Sequence, residues 1–215
     1  MRNTARGALQ GASAARPQHG GSHTRSRRGQ GLVEFGLVLP LLMIFLLGVA
    51  DFGRIFAAGI TEEAAVRDGA EAGAIQWQQL CKKYTFPCAT GLQVQADYDS
   101  IHTVARDVAC REAERMPGRV LDGTGHCTMP IIAVCVHDDH NPGGGDANCG
   151  AGAPPPGGPC SHMDELWDPA KSPTTDRPYV EVRMCYRFDP LVTLTLENWG
   201  TIWMQKANTF AVTNY

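Results

Sequence analysis

Residues 29–51 contain one long apolar run, GQGLVEFGLVLPLLMIFLLGVAD, and its length restricts what the chain can fold into. Its single carboxylate before the final Asp51, Glu34, lies near the start, and no side chain from residue 35 to residue 50 is charged. A helix of about 20 apolar residues is long enough to cross the hydrocarbon core of a bilayer. A removable secretory signal fits less well, because Ala50-Asp51-Phe52 is a poor cleavage site. We therefore expect a membrane-spanning helix, with a removable signal and a buried core helix as the alternatives.

Charge is distributed unevenly on the two sides of this run. Residues 1–29 carry six of the 19 basic residues and none of the 22 acidic ones, and they contain almost no large apolar side chains. We expect them to form a disordered basic leader peptide. Basic residues beside a spanning helix keep that end in the cytoplasm, so the C-terminal part should be extracytoplasmic. The rest of the chain is acidic, which argues against nucleic-acid binding.

All eight cysteines follow the apolar run. An even number of cysteines on the translocated side is typical of disulfides formed in an oxidising compartment, and scattered free thiols are the alternative. The sequence does not choose among the pairings, although Cys81 with Cys88 and Cys149 with Cys160 would each close a short local loop. The candidate disulfide cysteines are Cys81, Cys88, Cys110, Cys127, Cys135, Cys149, Cys160 and Cys185.

The helical pattern continues beyond the apolar run. Apolar and small residues recur at alternating spacings of four and three, which places them on one face of a helix. We expect one helix over about 33–77, whose outer part, 55–80, forms a spine for a globular domain. Charged side chains, Glu62 and Glu63 among them, mostly occupy the other faces. The buried face is predicted to contain Val66, Ala70, Gly73, Trp77 and Leu80.

A row of small residues, Ala65, Gly69 and Gly73, follows the same helix. Small side chains at this spacing permit the close approach of another element. The row indicates either a contact with a helix of another subunit or a tight contact within the same chain.

Residues 81–215 predict a small extracytoplasmic α+β domain. An apolar face formed by Tyr98, Ile101, Ala105, Val108 and Ala109 indicates a second helix over about 97–116. β-branched and alternating segments indicate an antiparallel sheet, in which the second strand is half-buried. Gly and Pro dominate a long loop between the first two strands. The predicted strands cover residues 129–137, 179–188 and 209–213, and the loop covers residues 138–173.

The sequence contains no familiar catalytic or phosphate-binding motif, so we expect neither an enzyme nor a cofactor. His126 with Cys127, and Cys135 with His137, Asp138, Asp139 and His140, invite comparison with a metal site. Their spacing is not that of a zinc or calcium site, and disulfides compete for the thiols. We therefore expect no metal.

Four motifs occur in order along the first helix. They are Gly29 followed by Val33-Glu34-Phe35, an apolar run around Pro40, Asp51-Phe52-Gly53-Arg54, and Ala65-Val66-Arg67-Asp68-Gly69-Ala70. In this order and spacing they resemble the TadE-like family of pseudopilins, and residues 182–190 are similar to the family's C-terminal strand pattern. The close resemblance covers about 46 residues, from Gly29 to Ala74.

The resemblance implies a membrane-anchored structural subunit that works in assembly of tight-adherence, or Flp-type, pili. It implies cleavage by a prepilin peptidase between Gly29 and Gln30, which makes Glu34 the fifth residue of the mature chain and a candidate for setting the register between subunits. Its implied partners are the membrane, other pilin-like subunits and a pilus assembly platform. The candidate packing residues of the spanning helix are Phe35, Pro40, Asp51 and Arg54. For Asp51 and Arg54, charge pairing at the water-side end of the helix is the favoured alternative.

Two other functions remain compatible with the sequence. One is a single-pass anchored binding module outside any filament, and the other is a secreted disulfide-rich enzyme whose signal is removed. The expected organisation is a leader at 1–29, a transmembrane helix at 30–54, its extramembrane continuation at 55–80 and a domain at 81–215.

Overall fold

The computed structural model describes residues 27–83, 92, 94–138, 148–150, 159–160, 178–191 and 201–212. These residues form an α+β fold, as predicted from the sequence. The chain divides into two compact units, the first ending at Met43 and the second beginning at Ile44. In chain order the described elements are α1 (Arg27–Cys81), α2 (Gln95–Glu112), a 3-10 turn (Ala113–Arg115), β1 (Val120–Leu121), β2 (Cys127–Met129), β3 (Ile131–His137), β4 (Asn148–Cys149), β5 (Tyr179–Phe188) and β6 (Ile202–Ala211).

Helix α1 is longer than the sequence pattern predicts and passes through Pro40. A proline is tolerated inside such an apolar helix because other groups can satisfy the carbonyl that it leaves unpaired. Every large apolar side chain from Leu32 to Val49 is exposed, including Phe35. A helix segment that is apolar all round and exposed has no protein partner among the described residues.

The second unit is built on a four-stranded antiparallel sheet with the strand order β4-β3-β5-β6. Alternate residues of β3 and β5 point to one face, where they form a continuous apolar core with α1 and α2. Burying this apolar surface supplies the main driving force for folding the unit. The strand residues in this core are Ile132, Val134, Val136, Val180, Val182, Met184, Tyr186 and Phe188.

The opposite face of β5 is also buried, so the prediction of a half-buried strand is wrong. Only Arg187 is exposed along the strand. Glu181 and Arg183 are buried as well, and they form an ion pair with each other, Arg183 Nε donating to Glu181 Oε1 at 2.7 Å. Charged groups can be buried when their hydrogen-bonding capacity is met in this way.

Several predicted boundaries also change. Helix α2 ends at Glu112, and a 3-10 turn replaces the last predicted helical residues. The last strand begins at Ile202 instead of residue 209, and the predicted final residue, Thr213, lies outside the described residues. Within the predicted 138–173 loop, Asn148–Cys149 form the short edge strand β4; most of that loop lies outside the described residues.

The row of small residues on α1 forms a tight contact within the chain. A Cβ atom added at Gly69 would lie 2.9 Å from the backbone oxygen of Ala105, and one at Gly73 would lie 2.8 Å from Val180 Cγ1. Helices α1 and α2 therefore approach closely because glycine leaves room for the facing backbone. Of the two interpretations of this row, the contact within the chain is confirmed.

Three disulfides join described parts of the chain, and they connect separate elements. One links α2 to β2, one links β3 to β4, and one links residue 160 to β5. Such links stabilise a small domain by restricting its unfolded chain. The pairs are Cys110–Cys127, Cys135–Cys149 and Cys160–Cys185.

The predicted local pair of Cys149 with Cys160 is therefore wrong. Cys149 lies directly opposite Cys135 in the antiparallel register of β3 and β4, which brings these two residues together. Of the other predicted local pair, Cys81 is disulfide-bonded, and Cys88 lies outside the described residues.

Replacing Gly69 with alanine should destabilise the second unit by about 1–3 kcal/mol, because the added methyl group meets a backbone oxygen that cannot move alone. Gly59→Ala is the matched control, since a Cβ there meets nothing within 4 Å. The control should be neutral or stabilising by up to about 1 kcal/mol. Denaturant unfolding of the full chain in detergent, followed by circular dichroism, measures both variants. Equal stability of the two variants would contradict the tight contact.

Candidate anchoring and assembly site

The first part of the site is the exposed apolar surface of α1. The helix is long and apolar enough to cross a membrane, as judged by its length and composition. Near its start, Gln30 Nε2 donates a hydrogen bond to Glu34 Oε1 at 3.2 Å, across one helical turn. Gly29, Gln30 and Glu34 thus lie within two turns of each other at the start of the apolar surface.

The second part is a cluster around Asp51, which we call the Asp51 clasp: Asp51, Arg54, Phe188 and Leu191. The Asp51 carboxylate is buried, and its Oδ1 accepts hydrogen bonds from Arg54 Nη1 at 2.8 Å and from the Leu191 backbone N–H at 3.0 Å. The Arg54 guanidinium lies over the Phe188 ring, 5.0 Å from its centroid. Asp51 and Arg54 therefore pair with each other and attach α1 to the end of β5.

The third part is Glu62, which lies two to three turns beyond Arg54 on α1 and outside residues 30–54. The sequence pattern places it with the solvated charges, but its side chain is fully buried. Neither carboxylate oxygen has a hydrogen-bond partner among the described residues. Burial raises the pKa of Glu62 to about 7, and the charge of Lys206 on β6 opposes this rise. A lone charged residue inside an otherwise regular apolar spacing, such as Glu62 between Ala58 and Val66, is the signal that could have revealed it.

A buried ion cluster lies on the face of the sheet away from the helices. His137 Nε2 lies 2.9 Å from Glu181 Oε2, and the His137 ring stacks on Tyr179 with centroids 4.1 Å apart. Burial alone raises the pKa of Glu181, but the hydrogen bonds from His137 and Arg183 outweigh it and lower that pKa below its usual value. The cluster holds the adjacent strands β3 and β5 together.

The residues that invited comparison with a metal site take other partners. His126 Nδ1 lies 2.8 Å from Asp107 Oδ1, and Cys127 and Cys135 are in disulfides. Asp138 Oδ2 accepts hydrogen bonds from Trp77 Nε1 and the Tyr98 hydroxyl, both at 3.3 Å. Asp139 and His140 lie outside the described residues.

Among the described residues, one helix is long and apolar enough to cross a membrane, and it continues into the core of a disulfide-linked α+β domain, which is the arrangement of a membrane-anchored protein. Residues 29–71 match the family model of TadE-like proteins, which confirms the resemblance over that segment. The match associates the chain with assembly of the tight-adherence pilus. Comparison with curated proteins and with solved structures found no match.

Replacing Asp51 with alanine should destabilise the second unit by about 1–3 kcal/mol, because the Leu191 N–H and Arg54 both lose their acceptor. The Leu191 amide should then exchange its hydrogen at least about tenfold faster. Asp189→Ala is the matched control, since Asp189 forms an exposed ion pair with Arg187 at 3.2 Å. It should change stability by less than about 1 kcal/mol. Unchanged exchange at Leu191 in Asp51→Ala would rule out the clasp.

Glu62 predicts a pH dependence of stability. The pKa of Glu62 in the folded state lies above the ordinary value of 4.5. Its contribution to the free energy of unfolding is therefore complete below pH 4.5 and is lost as the pH rises through about 7. At one pKa unit per 1.36 kcal/mol, the loss is at most about 3 kcal/mol. In Glu62→Gln this loss should disappear, as measured by denaturant unfolding at about pH 5 and about pH 8.

Glu63→Gln is the control, because Glu63 is the exposed neighbour of Glu62. It should keep the pH dependence of the natural chain. Burial lowers the pKa of His102, so His102 acts in the opposite direction, but its contribution is common to all three proteins. The same pH dependence in Glu62→Gln as in the natural chain would show that Glu62 is not buried as a carboxyl group.

Proposed function

We propose that the chain is a membrane-anchored minor pseudopilin-like subunit in assembly of a tight-adherence, type IV-like pilus. It works as a structural part and not as an enzyme. A prepilin peptidase removes the basic leader after Gly29, and other pilin-like subunits and the assembly platform are its partners. The observation that supports this most directly is the family match, which begins at Gly29 and runs to residue 71 of α1.

The asymmetry of charge supports the orientation in this proposal. The basic leader stays in the cytoplasm, and the domain after α1 is extracytoplasmic. The disulfides of the second unit fit the same orientation, because disulfides persist in oxidising compartments.

Glu34 supports a role in subunit registration. It is the one acidic group in an apolar surface, and an unpaired carboxylate at the centre of a bilayer costs on the order of 2.5–3.5 kcal/mol, and less near its boundary. Among the described residues, its hydrogen-bond partner is the neutral amide of Gln30. After cleavage, the new ammonium group on Gln30 of a neighbouring subunit supplies a cation, and the pairing fixes the stagger between adjacent helices.

The face of α1 that points away from the domain supports a role in subunit packing. From Phe52 onward that face keeps large apolar side chains at intervals of four residues: Phe52, Phe56 and Ile60, all exposed. A helix face that meets only water is normally polar. We therefore assign this stripe to contacts with the helix of another subunit once the pilus assembles.

The mass of the chain purified from the membranes of cells with an active pilus system tests the proposal. It should correspond to a protein that begins at Gln30, with or without methyl groups on its amine. A chain that retains its leader would favour the anchored binding module instead. A soluble extracellular chain that lacks residues 32–50 would favour the secreted enzyme.

Replacing Glu34 with alanine should leave membrane insertion intact, since it removes a charge from an apolar helix. The same change should strongly reduce the amount of pilus that can be sheared from cells and the fraction of this subunit that co-purifies with other pilins. Glu63→Ala serves as the control, because it removes an exposed carboxylate from the same helix outside residues 30–54. Normal assembly of Glu34→Ala would count against registration by this residue.

A further inference from the structure

We propose that the end of the sheet beside Asp51 is a membrane-contacting surface, in which Leu191 and Ile202 insert into the headgroup layer of the bilayer that holds α1. This inference rests on the proposed membrane anchor. It adds that the domain lies on the bilayer and is not merely attached to it by the helix.

The Asp51 clasp fixes where this end of the sheet lies relative to the apolar run. Residues 44–50 are the last seven residues of the run and belong to the same compact unit as the sheet. Asp51 follows them directly, and the Leu191 N–H lies 3.0 Å from its carboxylate. Bond lengths then keep the Leu191 Cα atom within about 8 Å of the Asp51 Cα atom.

The thickness of a bilayer places this level in the headgroup layer. The headgroups add about 5–7 Å to the hydrocarbon core on each side. If the apolar run ends at the hydrocarbon boundary, Leu191 lies within or against this layer. Amphipathic elements at a membrane surface bury their apolar side chains about 5–10 Å into the same region.

The side chains at this end of the sheet have the chemistry that such a position requires. Leu191 is 61% exposed and Ile202 is 39% exposed, and Phe52, directly after Asp51 on α1, is 71% exposed. Ile202 pairs with Phe188 at the end of β5, three residues before Leu191, so both aliphatic side chains belong to one end of the sheet. Large apolar side chains exposed at the level of a membrane surface fit a lipid partner.

The charges at this end are compatible with headgroups. Asp51 is paired with Arg54, and Arg187 lies 3.2 Å from Asp189. These four groups are balanced in sign, so the surface requires no strongly anionic lipid. Long arginine side chains keep their guanidinium groups at the polar level while their stems lie along apolar surface.

The position favours lipid over a second copy of the chain as the occupant. The medium that surrounds residues 44–50 should also reach Asp51 and Leu191, because the hydrogen bond between these two residues holds Leu191 at the end of the apolar run. In the membrane, the surrounding medium is the bilayer itself. A second copy would have to displace lipid from both the helix and the end of the sheet.

Photochemical crosslinking in lipid vesicles tests the inference. The full chain carries benzoylphenylalanine at one position per variant, replacing Leu191, Ile202, Val94 or Phe45, and is reconstituted in vesicles of phosphatidylcholine and phosphatidylglycerol with radiolabelled phosphatidylcholine. Val94 is the matched control because it is apolar and 50% exposed. Val94 lies just before α2, near Tyr98. The Tyr98 hydroxyl contacts Asp138, and Asp138 lies at the end of β3 and β5 opposite to Phe188. Phe45 reports on the apolar run itself.

We expect lipid adducts at positions 191 and 202 to exceed those at position 94 by at least about fivefold and to approach those at position 45. Adducts at 191 and 202 no higher than at 94, with strong labelling at 45, would overturn the inference and leave the anchor intact. Weak labelling at position 45 as well would overturn both the inference and the proposed membrane anchor. Crosslinks from 191 and 202 to a second protein chain instead of lipid would also overturn it, in favour of a subunit interface. The mass of each unreduced variant confirms that its disulfides, and so its fold, are intact.

Discussion

The close contact of α1 with α2 and β5 is the interaction on which the rest of the structure depends. Gly69 and Gly73 let α1 approach the backbone of α2 and the side chains of β5, and this contact buries one face of α1 in the core. The same helix is fully exposed and apolar between Leu32 and Val49. One continuous helix therefore serves as a core element of the domain and as the candidate anchor.

The two buried carboxylates on α1, Asp51 and Glu62, differ in their hydrogen-bond partners. Asp51 is satisfied by Arg54 and by the Leu191 N–H, so it strengthens the junction between α1 and the sheet. Glu62 is enclosed without a hydrogen-bond partner among the described residues, so its ionised form weakens the packing between α1 and the sheet. The helix is thus held firmly at Asp51, where it leaves the apolar run, and its packing depends on pH at Glu62, two to three turns beyond Arg54.

The sequence predicts the parts of this fold that depend on regular spacing. Apolar periodicity identifies the buried face of α1, and alternation identifies β5 with its bounds correct. Contacts between distant segments are not encoded in local spacing. For that reason the pairing of Cys149, the burial of both faces of β5 and the enclosure of Glu62 all escape prediction. The sequence predicts only part of the Asp51 clasp. It suggests the pairing of Asp51 with Arg54 but not the hydrogen bond from the Leu191 N–H.

Amide hydrogen exchange of the full chain in lipid vesicles tests most directly whether the outer part of α1 is a core element of the domain. Peptides that cover residues 55–81 are compared by mass spectrometry with peptides that cover β5. If α1 and the sheet form one cooperative unit, both sets exchange at the same slow rate. Exchange of residues 55–81 that is faster than exchange of β5 by orders of magnitude would show a helix that only passes beside the domain, and it would contradict the account.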